Sequence, residues 1–476
     1  MTERKFSTTV RMLKYNVLKE VAKGYFNGTL QKDILEIPKR IRPGKKAAMR
    51  CCIYKERAIL GERIKLAMGG NKSNPNIMEV IDIACDECPM GGYSVTDACR
   101  GCIAHYCQGA CKKGAIVYDE NLKAHIDKTK CINCGLCSKV CPYSAIANYK
   151  RPCENSCIPK AISPGADGEA VIDNNKCIAC GACMRQCPFG AIMDKSFMLP
   201  MFDILKNSEN NDKYKVYALI APAIAGQFTY AKLGQVLSGL KKLGFYDTVE
   251  AALGADITAY DEAKELVEKG ILTSSCCPAF VRFIETKYPE LKSKISHNLS
   301  PMGNIAKYIK SKEPSAKLIF IGPCTAKKME IQKDEVKEYV DGIITFEELQ
   351  AIFDGLEIDI SVLPDMGDLK DASYYGRIFA KSGGLAEAVQ EALKERGYND
   401  FKLAPIACNG LQECNSALLK LSKNVLNGNF IEGMACQLGC MGGAATIHRG
   451  ADNKVFIDKA AQEAGKSIEE ALSKVR

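Results

Sequence analysis

The sequence predicts a multidomain protein of mixed class: a small cysteine-rich α+β region followed by a larger α/β domain. Three observations carry that expectation. Sixteen of the 25 cysteines fall between residues 85 and 187; from about residue 215 apolar strand-like runs alternate with turns and helix-like stretches; and residues 1–75 hold 18 Lys and Arg against 6 Asp and Glu. At 476 residues the chain is too long for one core and long enough for two to four domains of roughly 100 to 200 residues.

Residues 1–80 form a basic segment to which the sequence assigns no role. Arg40, Arg42, Lys45, Lys46 and Arg50 could draw an anionic partner. No base-stacking aromatics are interleaved with them, so a solvated helical face is expected and nucleic acid is not. The start, MTERKFSTTVRMLKYNVLKE, lacks the apolar core and small-residue cleavage site of an export signal. A cytoplasmic protein with metal thiolates is therefore expected rather than one stapled by disulfides. No run of about 18 apolar residues appears, so no membrane association is expected.

In the cysteine-rich region, residues 81–200, four units end alike: Cys111-KKGAI, Cys141-PYSAI, Cys157-IPKAI and Cys187-PFGAI. Two are complete C-x2-C-x2-C-x3-C-P runs, Cys131, Cys134, Cys137, Cys141 and Cys177, Cys180, Cys183, Cys187. That spacing is the bacterial ferredoxin run, in which three thiolates hold one [4Fe-4S] cube and the fourth reaches the other cube of a pair. Paired CxxC units also bind zinc, but zinc needs neither the third cysteine in step nor the trailing Pro. Cys99, Cys102, Cys107 and Cys111 form an altered run, Cys153 and Cys157 keep two positions, and Cys85 and Cys88 add a CxxC. Two accessory clusters are expected from the complete runs. The full sixteen would fill four, with Cys85, Cys88 and Cys153 as the alternative structural thiols.

Residues 201–476 make the α/β domain. YKVYALI runs into Ala221-Pro222, KLIFI into Gly322-Pro323-Cys324, and a short run before Thr273 into Ser274-Ser275-Cys276-Cys277-Pro278. In such sheets functional loops gather at the carboxyl ends of strands. Three loops carry the cysteines: TSSCCPAF at 273–280, GPCTAKKME at 322–330 and EGMACQLGCMGG at 432–443. Read alone, they offer a four-thiolate cluster site.

Over about residues 85–448 the chain resembles the iron-only, or [FeFe], hydrogenases, whose three cysteine loops these are similar to. The resemblance implies a ferredoxin-like [4Fe-4S] region followed by an α/β iron-hydrogenase catalytic domain. It implies that Cys277, Cys324, Cys436 and Cys440 hold the cubane of an H-cluster, with Cys440 bridging to a binuclear iron unit bearing CO, cyanide and a dithiolate. By the same resemblance Cys276 is the last proton donor, a thiol titrating near neutrality, fed through Glu262, Ser296 and Glu265. Glu262 and Glu265 are three apart and share a helix face; without the resemblance, two solvated surface glutamates would be the reading. The resemblance also assigns Lys327 and Ser300 to the cyanide ligands, Met434 to packing by the bridging thiolate, and Pro222 and Ala223 to the second cyanide.

Several pocket positions depart from the best-studied members: Gly322, Phe280, Ala225 and Met302 stand where Met, Trp, Arg and Gln are usual, and the third loop ends GGAA. All proposed ligands remain, as in a less-studied subgroup of clostridial type. No P-loop or dinucleotide fingerprint is present, and four His leave little material for a His-based centre. Cys408 and Cys414, like Cys51 and Cys52, lie outside every motif and are expected to be buried structural thiols. The expected activity is reversible reduction of protons to H2 with ferredoxin or a similar low-potential carrier, after loading by hydrogenase maturation proteins. The alternative is an H2-sensing or iron–sulfur-assembly relative.

Overall fold

A computed structural model describes residues 4–89, 91–367 and 369–475. Two parallel sheets form the centre of the C-terminal half. One has four strands in the order Asp247–Glu250, Val216–Ile220, Lys317–Gly322, Gly342–Thr345; the other has three, Leu272–Thr273, Phe430–Met434 and Pro405–Asn409. Runs such as VYALI and KLIFIG are almost wholly buried, as parallel strands covered on both faces must be. Their carboxyl ends deliver Ala221-Pro222, Ser274 to Cys277, Pro323-Cys324 and Ala435 to Cys440 to one region, as the sequence leads one to expect.

The 19-residue helix Ala251–Lys269 lies against the helix Pro301–Lys312. Gly254 permits that approach, because a Cβ there would overlap the Pro301 carbonyl. This contact sets Glu262 and Glu265 of the first helix beside the loop that precedes the second.

The cysteine-rich region is built from small antiparallel pairs: Met78–Val80 with Ile192–Asp194, Gly92–Val95 with Ile146–Tyr149, and the hairpins Ile116–Tyr118/Ala124–Ile126 and Ile162–Pro164/Ala170–Ile172. Each pair is too short to hold together alone. Iron–sulfur ligation is the added constraint that the cysteine spacing supplies.

The basic N-terminal segment is not an appendage. The helix Thr9–Phe26 presents Lys14, Val17, Leu18, Val21 and Ala22 at helical spacing to the core, against the helix Phe346–Gly355. Val17, Ile192 and Phe353 share one hydrophobic core. The boundary expected at residue 80 falls at the end of the strand that closes on Ile192–Asp194, and the one expected at 200 falls inside the helix Met198–Asn207. The expected solvated basic face is only part of the picture. Lys45 and Lys46 are exposed, but Arg42 pairs with Glu56 at 2.9 Å and Arg50 with Glu87 at 3.2 Å. Cys408 and Cys414 are buried, whereas Cys51 and Cys52 are exposed, contrary to the expectation for that pair. Cys52 instead caps the helix Ile53–Ala67, its sulfur accepting from the Lys55 amide at 3.4 Å.

Candidate active site

Cys277 and Cys324 each stand at the N-cap of a helix, Pro278–Lys287 and Thr325–Glu330, where unpaired backbone amides favour negative charge. Cys436 and Cys440 come from the third loop, which turns at Leu438 (φ +68°) into the short 3-10 helix Gly439–Gly442. The four are mutual neighbours. Burial pushes the Cys436 thiol well above its ordinary value, and Cys324, Cys277, Cys180 and Cys440 add to the rise. Burial likewise takes Cys440 to about 12, with Cys324 and Cys277 adding to the rise, and Cys324 to about 11, with Cys277 adding to it, while Lys327 pulls both down. Four enclosed sulfurs that oppose one another's ionisation suit a cationic centre that replaces their protons. Among the described residues no three His, Cys, Asp or Glu side chains are arranged to grip a single ion. A bare metal held at about 2.3 Å from each sulfur would need them nearly in contact.

Beside this quartet lies a cavity of about 80 Å³. Cys276, Cys277, Cys324 and Cys440 open onto it, as do Lys327, Met434, Pro222 and Ala223. The buried Lys327 ammonium donates to Ser300 Oγ at 2.7 Å and pairs with Glu330 at 2.7 Å. Burial opposes its charge, yet Glu330 and the nearby thiols outweigh that and raise its pKa, so a fixed positive charge faces the cavity. Ser300 is held for this contact as the N-cap of the helix Pro301–Lys312. Met302 also lines the cavity, while Ala225 lines a separate one. Phe280 is fully buried against Gly433, where any Cβ would overlap its ring. Phe379, Ala380, Ala251 and Ala255 also line the cavity beside the quartet, and nothing in the sequence marks them out. They sit on or beside helices as ordinary apolar residues, and only the fold turns them inward.

The residues expected to form the relay are linked in part: Glu262 bonds to Ser275 and Ser296 to Glu265, while Glu262 Oε2 is buried with no hydrogen-bond partner among the described residues. Glu262 is fully buried, which rules out the solvated reading. Its Oε1 accepts from the Ser275 amide and hydroxyl, both at 3.0 Å. Burial pushes its carboxyl up to about 7 even though Ser275 and the neighbouring Ser296 pull it down. Ser296 Oγ donates to Glu265 Oε2 at 2.9 Å, and Glu265 Oε1 accepts from Lys269 Nζ at 2.6 Å. His297, whose amide donates to Glu265 at 3.1 Å, is exposed. The expectation that Cys276 titrates near neutrality is overturned. Burial, then Glu262, Cys277 and Glu432, push its thiol well above the ordinary value, so it holds its proton.

The accessory cysteines approach the quartet from one side. Ile178 and Ala179 share a core with Phe280 and Ala326, against which Cys180, Cys277 and Cys324 also pack. Thr325 Oγ1 donates to the Ala179 carbonyl at 2.7 Å, and Cys180 lies in the electrostatic neighbourhood of Cys277 and Cys436. Gly181, at φ +71°, lets the loop close down, since a Cβ there would overlap the Ala444 methyl. Farther out, Cys157 lies beside Cys177, Cys180 and Cys183. Cys153 lies beside Cys187 and Cys88, and Cys88 beside Cys85. Cys99, Cys102 and Cys107 gather about Tyr118, and Cys111 lines a cavity of about 210 Å³ with Cys131, Cys134 and Cys137. Cys141 packs into the same small core as Cys99, Cys107 and Cys111.

A thiolate quartet drawn from three loops, approached by ferredoxin-like cysteine runs and set beside a largely apolar cavity, defines an iron–sulfur protein. Residues 214–444 match the iron only hydrogenase large subunit, C-terminal domain, and residues 124–147 and 170–193 match the 4Fe-4S binding domain. The chain is thus [FeFe]-hydrogenase-like, with ferredoxin-like 4Fe-4S segments ahead of a domain similar to the C-terminal domain of the iron only hydrogenase large subunit. It is 29% identical to iron hydrogenase 1 of Clostridium pasteurianum over 316 residues, 54% of this chain and 54% of that protein. It is 29% identical to the periplasmic [Fe] hydrogenase large subunit of Nitratidesulfovibrio vulgaris over 48% of this chain and 68% of that one. It is also 29% identical to the cytosolic Fe-S cluster assembly factor NAR1 of Eremothecium gossypii, over 27% of this chain and 31% of that one. The chain thus spans about half the length of the clostridial relative. A solved [FeFe]-hydrogenase chain is 22% identical, covering 59% of this chain and 93% of that chain with a TM-score of 0.49. Among the described residues no helix is long and apolar enough to cross a membrane.

Proposed function

We propose that this protein interconverts two protons, two electrons and H2. The observation that carries the reading is the cavity: Cys277, Cys324 and Cys440 of the quartet line one side, the charge of Lys327 another, and Cys276, near Glu262, a third. The residues fit an H-cluster, with Cys277, Cys324, Cys436 and Cys440 as its cubane ligands. When bound, that group supplies the open metal position and the electron pair for the reaction. Lys327, bonded to Ser300, would hold its anionic ligands by charge and hydrogen bond, and Pro222, Ala223 and Met434 would line the space around it.

Cys276 keeps its proton at neutral pH and gives it up toward the cavity. Glu262, half protonated near pH 7, restores it. Ser296 and Glu265 continue the exchange to the surface beside His297. Electrons enter through the accessory clusters, which lead to Cys180 beside the quartet. Their source is ferredoxin or another low-potential carrier, the binuclear unit is installed by hydrogenase maturation proteins, and the protein works in the cytoplasm.

The stretch of identity with an Fe-S cluster assembly factor favours a second reading, in which the same clusters serve iron–sulfur assembly without turnover. An anaerobic H2 assay on matured protein separates the two. Turnover that collapses in Cys276→Ala while iron content holds supports the hydrogenase; a fully loaded but inert wild type refutes it.

A further inference from the structure

The fold joins what the sequence separates. The strand Met78–Val80 closes on Ile192–Asp194, and the strand Gly92–Val95 closes on Ile146–Tyr149. The inner pair brackets the hairpin Ile116–Tyr118/Ala124–Ile126, the outer pair encloses that whole unit together with the hairpin Ile162–Pro164/Ala170–Ile172, and the two hairpins share a register: Ile116 faces Ile126 as Ile162 faces Ile172, 46 residues on. The same step carries Cys107 to Cys153, Cys111 to Cys157, and the run from Cys131 to Cys141 onto that from Cys177 to Cys187. Backbone bonds repeat with it. Asp127 N donates to Ala115 O at 2.8 Å, and Asp173 N to Ala161 O at 2.8 Å; Cys131 N donates to Asp127 O at 3.0 Å, and Cys177 N to Asp173 O at 2.9 Å. The correspondence breaks only at its start. Residues 46 beyond Cys99 and Cys102 are Ala145 and Asn148, so the second unit must find its first two sulfurs elsewhere.

They stand at Cys85 and Cys88, just after the closing strand Met78–Val80, as Cys99 and Cys102 follow the strand Gly92–Val95. We propose that Cys85-x2-Cys88 and Cys153-x3-Cys157 are two halves of one ferredoxin run, split by a second complete ferredoxin unit inserted between them, and that Cys85, Cys88, Cys153 and Cys187 together hold a [4Fe-4S] cluster.

Three features of the structure support this. Cys85 and Cys153 are buried in one core with Cys187 packed against it, and Cys153 lies beside both Cys187 and Cys88. The last sulfur of every unit is treated alike: Cys111, Cys141, Cys157 and Cys187 each accept the amide of the Ala four residues on, at 3.3, 3.4, 3.2 and 3.3 Å. Amide donors aimed at sulfur are how a protein tunes a bound cluster. Finally, crossing over is consistent throughout, because Cys157 joins Cys177, Cys180 and Cys183 just as Cys111 joins Cys131, Cys134 and Cys137. The insertion is tolerated because its ends meet: Arg151 Nε donates to the Pro89 carbonyl at 3.1 Å, clamping entry to exit. The ligand sets are then Cys99, Cys102, Cys107, Cys141; Cys111, Cys131, Cys134, Cys137; Cys85, Cys88, Cys153, Cys187; and Cys157, Cys177, Cys180, Cys183. The C-terminal quartet makes a fifth.

The proposal does not depend on H2 turnover and is tested without it. The full chain, reconstituted anaerobically with iron and sulfide and no maturation proteins, should hold about 20 iron atoms, four for each of five cubes. Cys85→Ser, Cys153→Ser and Cys187→Ser should each lose the same about four iron atoms and the same reduced-state EPR signal. The double variant Cys85→Ser/Cys187→Ser should lose no more than either single one. A double variant that loses two clusters' worth of iron, or a Cys85→Ser protein with iron and EPR signals unchanged, overturns it. Cys88→Ser serves as the independent variant where Cys85→Ser does not fold, and the same two results decide it.

Discussion

Asp194, on the strand that closes the cysteine-rich region, accepts a hydrogen bond at 2.7 Å from Lys328, the residue after the cavity lysine. Lys14 from the N-terminal helix reaches the same carboxylate at 2.6 Å, and Lys328 also holds Glu348 at 2.9 Å. Three parts of the chain therefore meet at one fully buried carboxylate. Burial works against its charge, but Lys14 and Lys328 win and hold Asp194 well below the usual carboxylate range.

Asp194→Ala would remove the carboxylate that two buried ammonium groups share, leaving Lys14 with Glu347 and Lys328 with Glu348, so the cost should fall below the roughly 3–5 kcal/mol of an uncompensated buried charge. The expected result is a lower denaturant midpoint, with the cysteine-rich region loosening from the C-terminal domain. In the wild type the depressed carboxyl contributes stability at neutral pH that is lost as pH falls through its folded pKa. The acid limb should shrink in Asp194→Asn. Equal acid sensitivity in both proteins would show that the junction does not rest on this group.

Glu262 makes the opposite kind of prediction. Its pKa is raised, to about 7, so the folded state holds a proton that the unfolded chain releases at lower pH. Its contribution therefore weakens stability as pH rises from the ordinary glutamate range toward 7. Glu262→Gln should relieve that loss and be no less stable at pH 8. Its H2 evolution should nevertheless fall about 100- to 10,000-fold, the usual worth of a proton-transfer group. Iron content should not change. Near-normal turnover in this variant would remove Glu262 from the relay.

Much of this site can be read from the chain itself, because ligand spacing is a local property. The runs from Cys131 and Cys177, and the loops holding Cys277, Cys324, Cys436 and Cys440, announce themselves by sequence and stand where strands end. What escapes is whatever depends on closure. Cys88 and Cys153 are remote in sequence and belong together only through strand pairing. Lys14 reads as one more surface cation until the helix Thr9–Phe26 is packed on Phe346–Gly355. Cys276 reads as a near-neutral thiol until its enclosure is known, and Ala251 or Ala380 reads as filler until the cavity has walls.

Cys324→Ser tests the quartet by composition. Removing one thiolate from the N-cap of Thr325–Glu330 should cost the C-terminal cube, about four iron atoms, with the accessory spectra retained. Iron measured per chain before and after decides this, and an unchanged total would exclude Cys324 as a ligand.

Gly181 is the last position from which function should be separable from cluster content. It sits between Cys180 and the helix that carries Cys183, in a left-handed conformation, where any side chain meets both strain and the Ala444 methyl. Left-handed backbone alone costs a non-glycine residue about 1–2 kcal/mol, and overpacking adds about 1–3 kcal/mol. Gly181→Ala relieves both by lifting the Cys180 loop off the third loop, where Arg185 Nη1 otherwise reaches the Gly443 carbonyl at 3.3 Å. All clusters can still form, since no ligand is lost. Electron delivery to the quartet should slow because its nearest donor has moved away. The expected signature is full iron content, a lowered rate with a protein carrier that must enter through the accessory clusters, and a smaller loss with a small dye able to reduce the quartet directly. Equal losses with both donors would place the damage inside the cavity instead.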